Sequence, residues 1–209
     1  MKTGPDLEEH TTLRDGTPVV LRHIRPDDAS ELRRAFDRLS PESRYRRFFG
    51  GVSQLTDASL RYLTEVDGRD HVAIVATTDG LASDSATGLG VARFIRHHEE
   101  PTVAEAAVTV VDDAQRKGLG RLLATKLAEA ARERGVHLFR ADVLADNAPM
   151  RAIMDEIGAI ERGASAGVVT YDIPLDAAPS TPGPVDRILR AAASTMAVLQ
   201  RHLGPDRRG

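Results

Sequence analysis

Glu105 is the only ionisable side chain in the run Val103 to Val111, which is otherwise apolar apart from Thr109. A strand of that composition is buried on both faces. Desolvation raises the pKa of a carboxylate held there, toward the range in which a general base works. The competing reading is a glutamate near a strand end that reaches solvent. Downstream, Gln115-x-x-Gly118-x-Gly120 opens a helix. The second glycine of such a turn lets backbone approach a ligand, and a helix start offers unpaired N–H groups, so the pair makes a cradle suited to a pyrophosphate. Arg116, Lys117 and Arg121 crowd positive charge at the end of the helix dipole that disfavours it. A purely structural strand-to-helix turn leaves that crowding unexplained, whereas a phosphate ligand accounts for it. The loop is not a P-loop, lacking Gly-Lys-Ser/Thr, and not a Rossmann turn, having one glycine pair.

Other chemistry-bearing residues read less sharply. Asn147 is either an ordinary helix N-cap or an amide at the C-terminal end of a strand, where α/β sheets bind ligands. His97-His98-Glu99-Glu100 invites a metal, but adjacent histidines in a turn point apart and no spaced partner follows, so no metal is expected. Arg44, Arg46 and Arg47 among Tyr45, Phe48 and Phe49 could suggest nucleic acid, but a helix with an aromatic inner face and a basic outer face explains them more cheaply, so no nucleic acid is expected.

The elements that must position these residues follow from periodicity. Thr17 to Arg25 alternates as a strand that Pro26 ends, and Asp27 or Asp28 caps a helix through Leu39. Ser40-Pro41 starts a second helix, and Asp57 to Glu65 a third. Strands are expected at His71 to Thr77, Gly88 to Arg96, Val103 to Val111 and His137 to Leu144, with a hairpin loop over Asp79 to Thr87. The helix Leu119 to Arg134 ends at Gly135, and Asn147 caps a short helix that Gly158 stops. A hairpin at Ala159 to Arg162 and Val168 to Ile173 completes the domain.

The 209 residues suit one α/β domain over 17–175 with tails: a disordered lead over 1–16, a proline-rich linker over 176–184 and an amphipathic helix over 185–203. In that last segment Val185, Leu189, Ala192, Met196, Leu199 and Leu203 make a short a/d seam. Packing back on the domain and forming a homodimer are both open. With 28 basic and 31 acidic residues the chain has no charge excess for nucleic acid or membrane surfaces. Absence of cysteine excludes disulfides, thiol nucleophiles and thiolate metal sites. The N-terminus has no apolar leader and no stretch is long enough to span a bilayer, so a cytoplasmic protein is expected.

The order strand, Gln115-x-x-Gly118-x-Gly120, helix, strand, Asn147-x-x-Met150 resembles the GCN5-related N-acetyltransferase (GNAT) superfamily. The segments LSPESRYRRFF, GVARFIR, EEPTVAEAAVTVVDDAQRKGLG and ADNAPMRAIMDEIGA are similar to the catalytic domain of actinobacterial and mycobacterial protein lysine acetyltransferases. No cyclic-nucleotide control is carried over to this chain. The resemblance implies a mixed, mostly antiparallel sheet splayed open around its fourth strand, with acetyl-CoA in the gap as co-substrate. It places backbone groups of Val108, Thr109 and Val110 on the pantetheine arm and thioester carbonyl. The loop of Gln115, Arg116, Lys117, Gly118, Leu119, Gly120 and Arg121 then falls on the pyrophosphate, with Asn147 near the pantetheine. Glu105 matches the family's glutamate base, acting directly or through a water. Many relatives place a tyrosine seven residues beyond the asparagine as acid for the leaving thiolate; here that position is Met154. The implied acceptor is a lysine on a protein. A small-molecule amine acetyltransferase and a non-catalytic acyl-CoA-binding module remain open.

Overall fold

Eight strands form one sheet in the computed structural model, which describes residues 7–48, 54–78, 86–146, 148–156 and 158–175. They are β1 (Glu8–Thr12), β2 (Pro18–His23), β3 (His71–Thr78), β4 (Gly88–Arg96), β5 (Val103–Val110), β6 (Leu138–Leu144), β7 (Ile160–Ser165) and β8 (Val168–Pro174). Their spatial order is β1-β2-β3-β4-β5-β6-β8-β7. The helices are α1 (Ala29–Asp37), α2 (Pro41–Phe48), α3 (Asp57–Thr64), α4 (Leu119–Glu133) and α5 (Ala148–Glu156).

Neighbouring strands are antiparallel everywhere except between β5 and β6, where α4 provides the crossover a parallel pair needs; α1, α2 and α3 lie in the long connection from β2 to β3. That parallel pairing lasts only from Val103↔Leu138 to Glu105↔Arg140. Beyond Glu105 the two strands part. The expected mixed sheet, opened at its central strand, is therefore present, and the opening begins at the residue singled out for chemistry.

Strand alternation divides the side chains between two layers. Ala104, Val108 and Val110 pack with Leu119, Leu123, Leu127 and Ala131 of α4, which buries the apolar stripe of that helix. On the opposite face, Ala107 joins Phe36, Leu39, Leu60 and Leu63 under α1 and α3. Met154 of α5, only 1% exposed, belongs to the core on the α4 side.

Three local expectations meet a different outcome. Residues 8–12, expected in a disordered lead, form β1 and pair with β2 through a tight turn in which Leu13 N–H donates to Thr17 O at 2.8 Å and Gly16 has φ +87°. Buried Lys126 of α4 anchors that strand through Glu9 at 2.7 Å, with Glu129 at 3.5 Å. Asp28 stands at the start of α1 but its side chain caps no amide of that helix; Arg22 takes both carboxylate oxygens at 2.6 and 2.7 Å, and the Arg25 N–H that opens the preceding 3-10 turn donates to it at 2.7 Å. An ion pair thus outcompetes the cap. The strand holding Glu105 stops at Val110, and Val111 instead leads a single 3-10 turn, Asp112–Ala114. Ser40 behaves as expected: its Oγ accepts the Ser43 N–H at 3.1 Å. The linker over 176–184, the helix over 185–203 with its homodimer seam, and residues 79–85 of the expected hairpin loop lie outside the described residues.

Candidate active site

The site is a wedge between β5 and β6. From residue 106 onward β5 keeps its bonds to β4 and loses those to β6, so one row of its N–H and C=O groups faces the gap. Every second residue turns its backbone to that side, so Ala106, Val108 and Val110 expose the row over about 13 Å, while Val111 N–H turns to Leu89 O beside β4. Val108 and Val110 point their side chains into the core, at 9% and 7% exposure, which leaves only their backbone for a ligand. Close approach of β4 supports this edge. At Gly90, paired with Val110, a Cβ would stand 2.8 Å from Thr109 O and 3.0 Å from Leu123 Cδ1.

Glu105 is half-buried at the fork of the wedge rather than enclosed within the strand, so its desolvation is partial. Its face of the sheet is shared by Ile95 and Arg93 of β4 and by Ala107. Arg140 is its register partner on β6, yet that guanidinium is bound to Asp172 at 2.8 Å and Glu100 at 2.7 Å. The adjacent cation is thus committed to two other carboxylates. Tyr62 of α3 lies within electrostatic reach. Burial pushes its phenol up, Arg93 opposes, and the Glu105 charge adds to the rise.

Arg93 is fully enclosed, and burial pushes its guanidinium down to about 10, still charged at neutral pH. It donates to Leu63 O at 3.2 Å and to His71 Nε2 at 3.0 Å. Because arginine only donates, His71 must accept at that nitrogen. Arg93 Nε and Thr109 Oγ1 have no hydrogen-bond partner among the described residues. Both line a cavity of about 70 Å³ under α1, walled mostly by apolar side chains such as Leu32, Phe36 and Val91, with Asp28, Glu31 and Thr77 also on its wall. Space of that size admits ordered water, which two such polar atoms would hold. The cavity lies on the α1 side of the sheet and reaches Thr109 of β5.

The turn after β5 delivers the glycine loop. Asp112 accepts from Ser40 N–H at 2.6 Å, Ser43 Oγ–H at 2.6 Å and Gln115 Nε2–H at 2.8 Å, tying the start of α2 to the turn. Burial opposes ionisation of Asp112, but these donors prevail and lower its pKa. Arg38 braces the same corner, reaching Asp113 at 2.7 Å and Gly88 O at 2.8 Å. Gln115 also donates to Val110 O at 3.2 Å, so its side-chain amide closes the turn. Arg116 (φ +62°) and Gly118 (φ +89°) are both left-handed, the bend that turns successive amides toward one point. Leu122 N–H makes the helix bond to Gly118 O at 3.1 Å, so the amides of Leu119, Gly120 and Arg121 precede any internal acceptor. Leu119 itself is core, 1% exposed, and can offer a ligand nothing but that amide.

Lys117 does not stand open as its position in the loop suggests. Its Nζ binds Asp15 of the β1–β2 turn at 3.0 Å. Asn147 lies outside the described residues. Met154 is buried in apolar surroundings and has no proton to give. Arg44 reads as a brace: it donates to Leu39 O and Asp37 O and lies over the Phe36 ring at 4.8 Å. Arg14, Tyr62, Arg93 and Asp112 escaped the reading from sequence. Only the first had a local signal, the Asp15-Gly16 pair that marks a hairpin turn.

A family model described as an acetyltransferase (GNAT) domain matches residues 19–160. Acetyltransferase Pat of Mycolicibacterium smegmatis is 38% identical over 179 residues, 84% of this chain and 52% of that protein. The chain thus spans about half the length of that relative. An acetyltransferase of Pseudomonas aeruginosa is 34% identical over 146 residues, 69% of this chain and 74% of the relative. Among solved structures, the GNAT domain of S. lividans PAT superposes with a TM-score of 0.70 at 30% identity, covering 80% of this chain and 97% of that one.

Proposed function

Because the chain belongs to the GNAT acetyltransferase family, we propose that it transfers an acetyl group from acetyl-CoA to an amine, the acceptor being a lysine side chain of a protein. The observation that carries this reading is that β5–β6 pairing ends at Glu105. One strand, turn and helix then supply a carboxylate at the fork, an open backbone edge and a phosphate cradle in sequence.

In this reading acetyl-CoA is a substrate consumed at each turnover. Its pantetheine arm takes the hydrogen bonds that β6 does not make to Val108 and Val110, with Asn147 nearby. Its pyrophosphate rests on the amides from Arg116 to Arg121. A lysine amine is almost wholly protonated near neutral pH, with a reference pKa of about 10.4, and an ammonium has no lone pair for attack. Glu105 takes that proton, directly or through a water. The neutral nitrogen then bonds to the thioester carbon, a β5 N–H stabilises the oxyanion that develops, and the C–S bond breaks to release the thiolate. As the amide forms, its nitrogen sheds its second proton to solvent; since Met154 cannot donate, the thiolate leaves unaided or takes its proton from another group. Glu105→Gln should bind acetyl-CoA with unchanged affinity and lose roughly 10²–10⁴-fold in turnover. Wild-type turnover in that variant would sink the role. Acetyl-lysine proteomics with and without the protein, and again with the variant, tests the acceptor class; a panel of free amines tests the small-molecule alternative. The buried Met154 is the one feature that favours a non-catalytic acyl-CoA-binding module, which binding without transfer to any protein would establish.

A further inference from the structure

We propose that Arg14, from the β1–β2 hairpin, is a coenzyme A phosphate-binding residue that completes the cradle. The inference rests on the acetyl-CoA reading above. Arg14 lies before the stretch 19–160 that the family model matches, so no position of that pattern assigns it a role.

The hairpin docks directly on the glycine loop. Arg14 N–H donates to Lys117 O at 3.3 Å, and its side chain crosses the left-handed Gly118. A Cβ at Gly118 would meet Arg14 Nε at 3.4 Å and Cδ and Cγ at 3.5 Å. The stem of the arginine is therefore laid along the loop backbone, and its head is delivered beside the amides that open α4.

Charge decides what the head is for. Lys117, the loop's own lysine, is held by Asp15 at 3.0 Å. Thr17 and Lys117 together hold the Asp15 carboxyl at about 2, so it stays ionised at every physiological pH. Arg14 is exposed and has no carboxylate partner among the described residues. Arg22, Arg33, Arg38, Arg96 and Arg140 all have one. The hairpin thus occupies one loop cation with Asp15 and supplies another in its place. A guanidinium suits that exchange, because its planar fork can take two phosphate oxygens at once.

The test uses the full chain with acetyl-CoA and with S-acetylpantetheine, which carries the same thioester and no phosphate. Arg14→Met and Arg14→Gln keep the stem over Gly118 and drop the charge. Both should weaken acetyl-CoA binding about tenfold, the scale of one charge-assisted contact, with kcat unchanged and a deficit that shrinks as salt rises. Arg14→Lys should recover part of the loss. The kcat/KM for S-acetylpantetheine should equal wild type in all three. Variants that bind acetyl-CoA as wild type does overturn the proposal. So does an equal loss with both thioesters, which makes Arg14 a brace for the loop. A wild-type protein that binds no coenzyme A overturns the acetyltransferase reading itself, and the proposal with it.

Discussion

Gly90→Ala puts one methyl group where β4 and β5 come closest. The new carbon would lie 2.8 Å from Thr109 O, 3.0 Å from Leu123 Cδ1 and 3.4 Å from Val110 Cα. Carbon pairs rest at about 3.5–4.0 Å, so Leu123 alone must yield by roughly 0.5–1 Å. Leu123 is 0% exposed, and the carbonyl belongs to a strand paired along its length with β4. Overpacking of this kind costs about 1–3 kcal/mol. In a protein of this size each kcal/mol moves Tm by about 2–4 °C, so the expected fall is about 2–12 °C. Because the strand that must move carries the open edge, kcat/KM for acetyl-CoA should fall by about tenfold as well. Differential scanning calorimetry and steady-state kinetics read the two effects. Adding Leu123→Ala relieves the side-chain clash and leaves the carbonyl contact, so the double variant should not regain activity. A Gly90→Ala protein with wild-type Tm and wild-type kinetics would refute the close approach and the role given to the β5 backbone.

Two further outcomes follow from charges away from the wedge. Burial disfavours the ionised forms of Asp28 and Asp67, but Arg22 and the Arg25 amide hold the first low, and the His71, Arg69 and Asp70 amides, each at 2.8 Å, hold the second low. Folded-state pKa values below the unfolded value of about 3.9 mean stability that is complete above that value and lost as pH falls through the folded pKa. The urea midpoint should drop steadily below about pH 4, and Asp67→Asn should flatten the slope; a flat midpoint from pH 6 to 3 would contradict the assignment. Lys126→Ala removes a buried cation from Glu9 and Glu129, which stay 32% and 30% exposed. The loss should be about 1–3 kcal/mol, accompanied by faster proteolytic clipping within β1; an unchanged digestion pattern would show that Lys126 does not anchor the strand.

What could be read in advance was whatever local periodicity and turn chemistry dictate. The strand around Glu105, the glycine turn that opens α4, the Ser40 cap and the Gly135 stop each follow from a few adjacent residues. β1 was missed although Asp15-Gly16 between alternating flanks is a hairpin signal; the polar composition of the first residues outweighed it. The local sequence around Asp28 points to a cap, whereas Arg22 from the preceding strand takes its carboxylate. The network that fixes the loop was out of reach. Arg38–Asp113 joins residues 75 apart in the chain and Ser43–Asp112 joins residues 69 apart, and neither pair has a local pattern to announce it. The same holds for Arg93, whose burial depends on α3 closing over it.

The parting of β5 and β6 also bears on the life of the protein in a cell. Sheets ordinarily confine unpaired backbone to their outer strands and guard it there with charge, bulges or shortness. Here two such rows face each other in the middle of the sheet, because the seam closes for only three residue pairs. Any extended segment, including one from a neighbouring unfolded chain, finds a template there. A ligand lying between the strands occupies that template and, by binding only the folded form, adds stability in proportion to its supply. In the acetyl-CoA reading, steady-state abundance of this protein should therefore follow the level of that substrate, so that scarcity removes the protein as well as idling it.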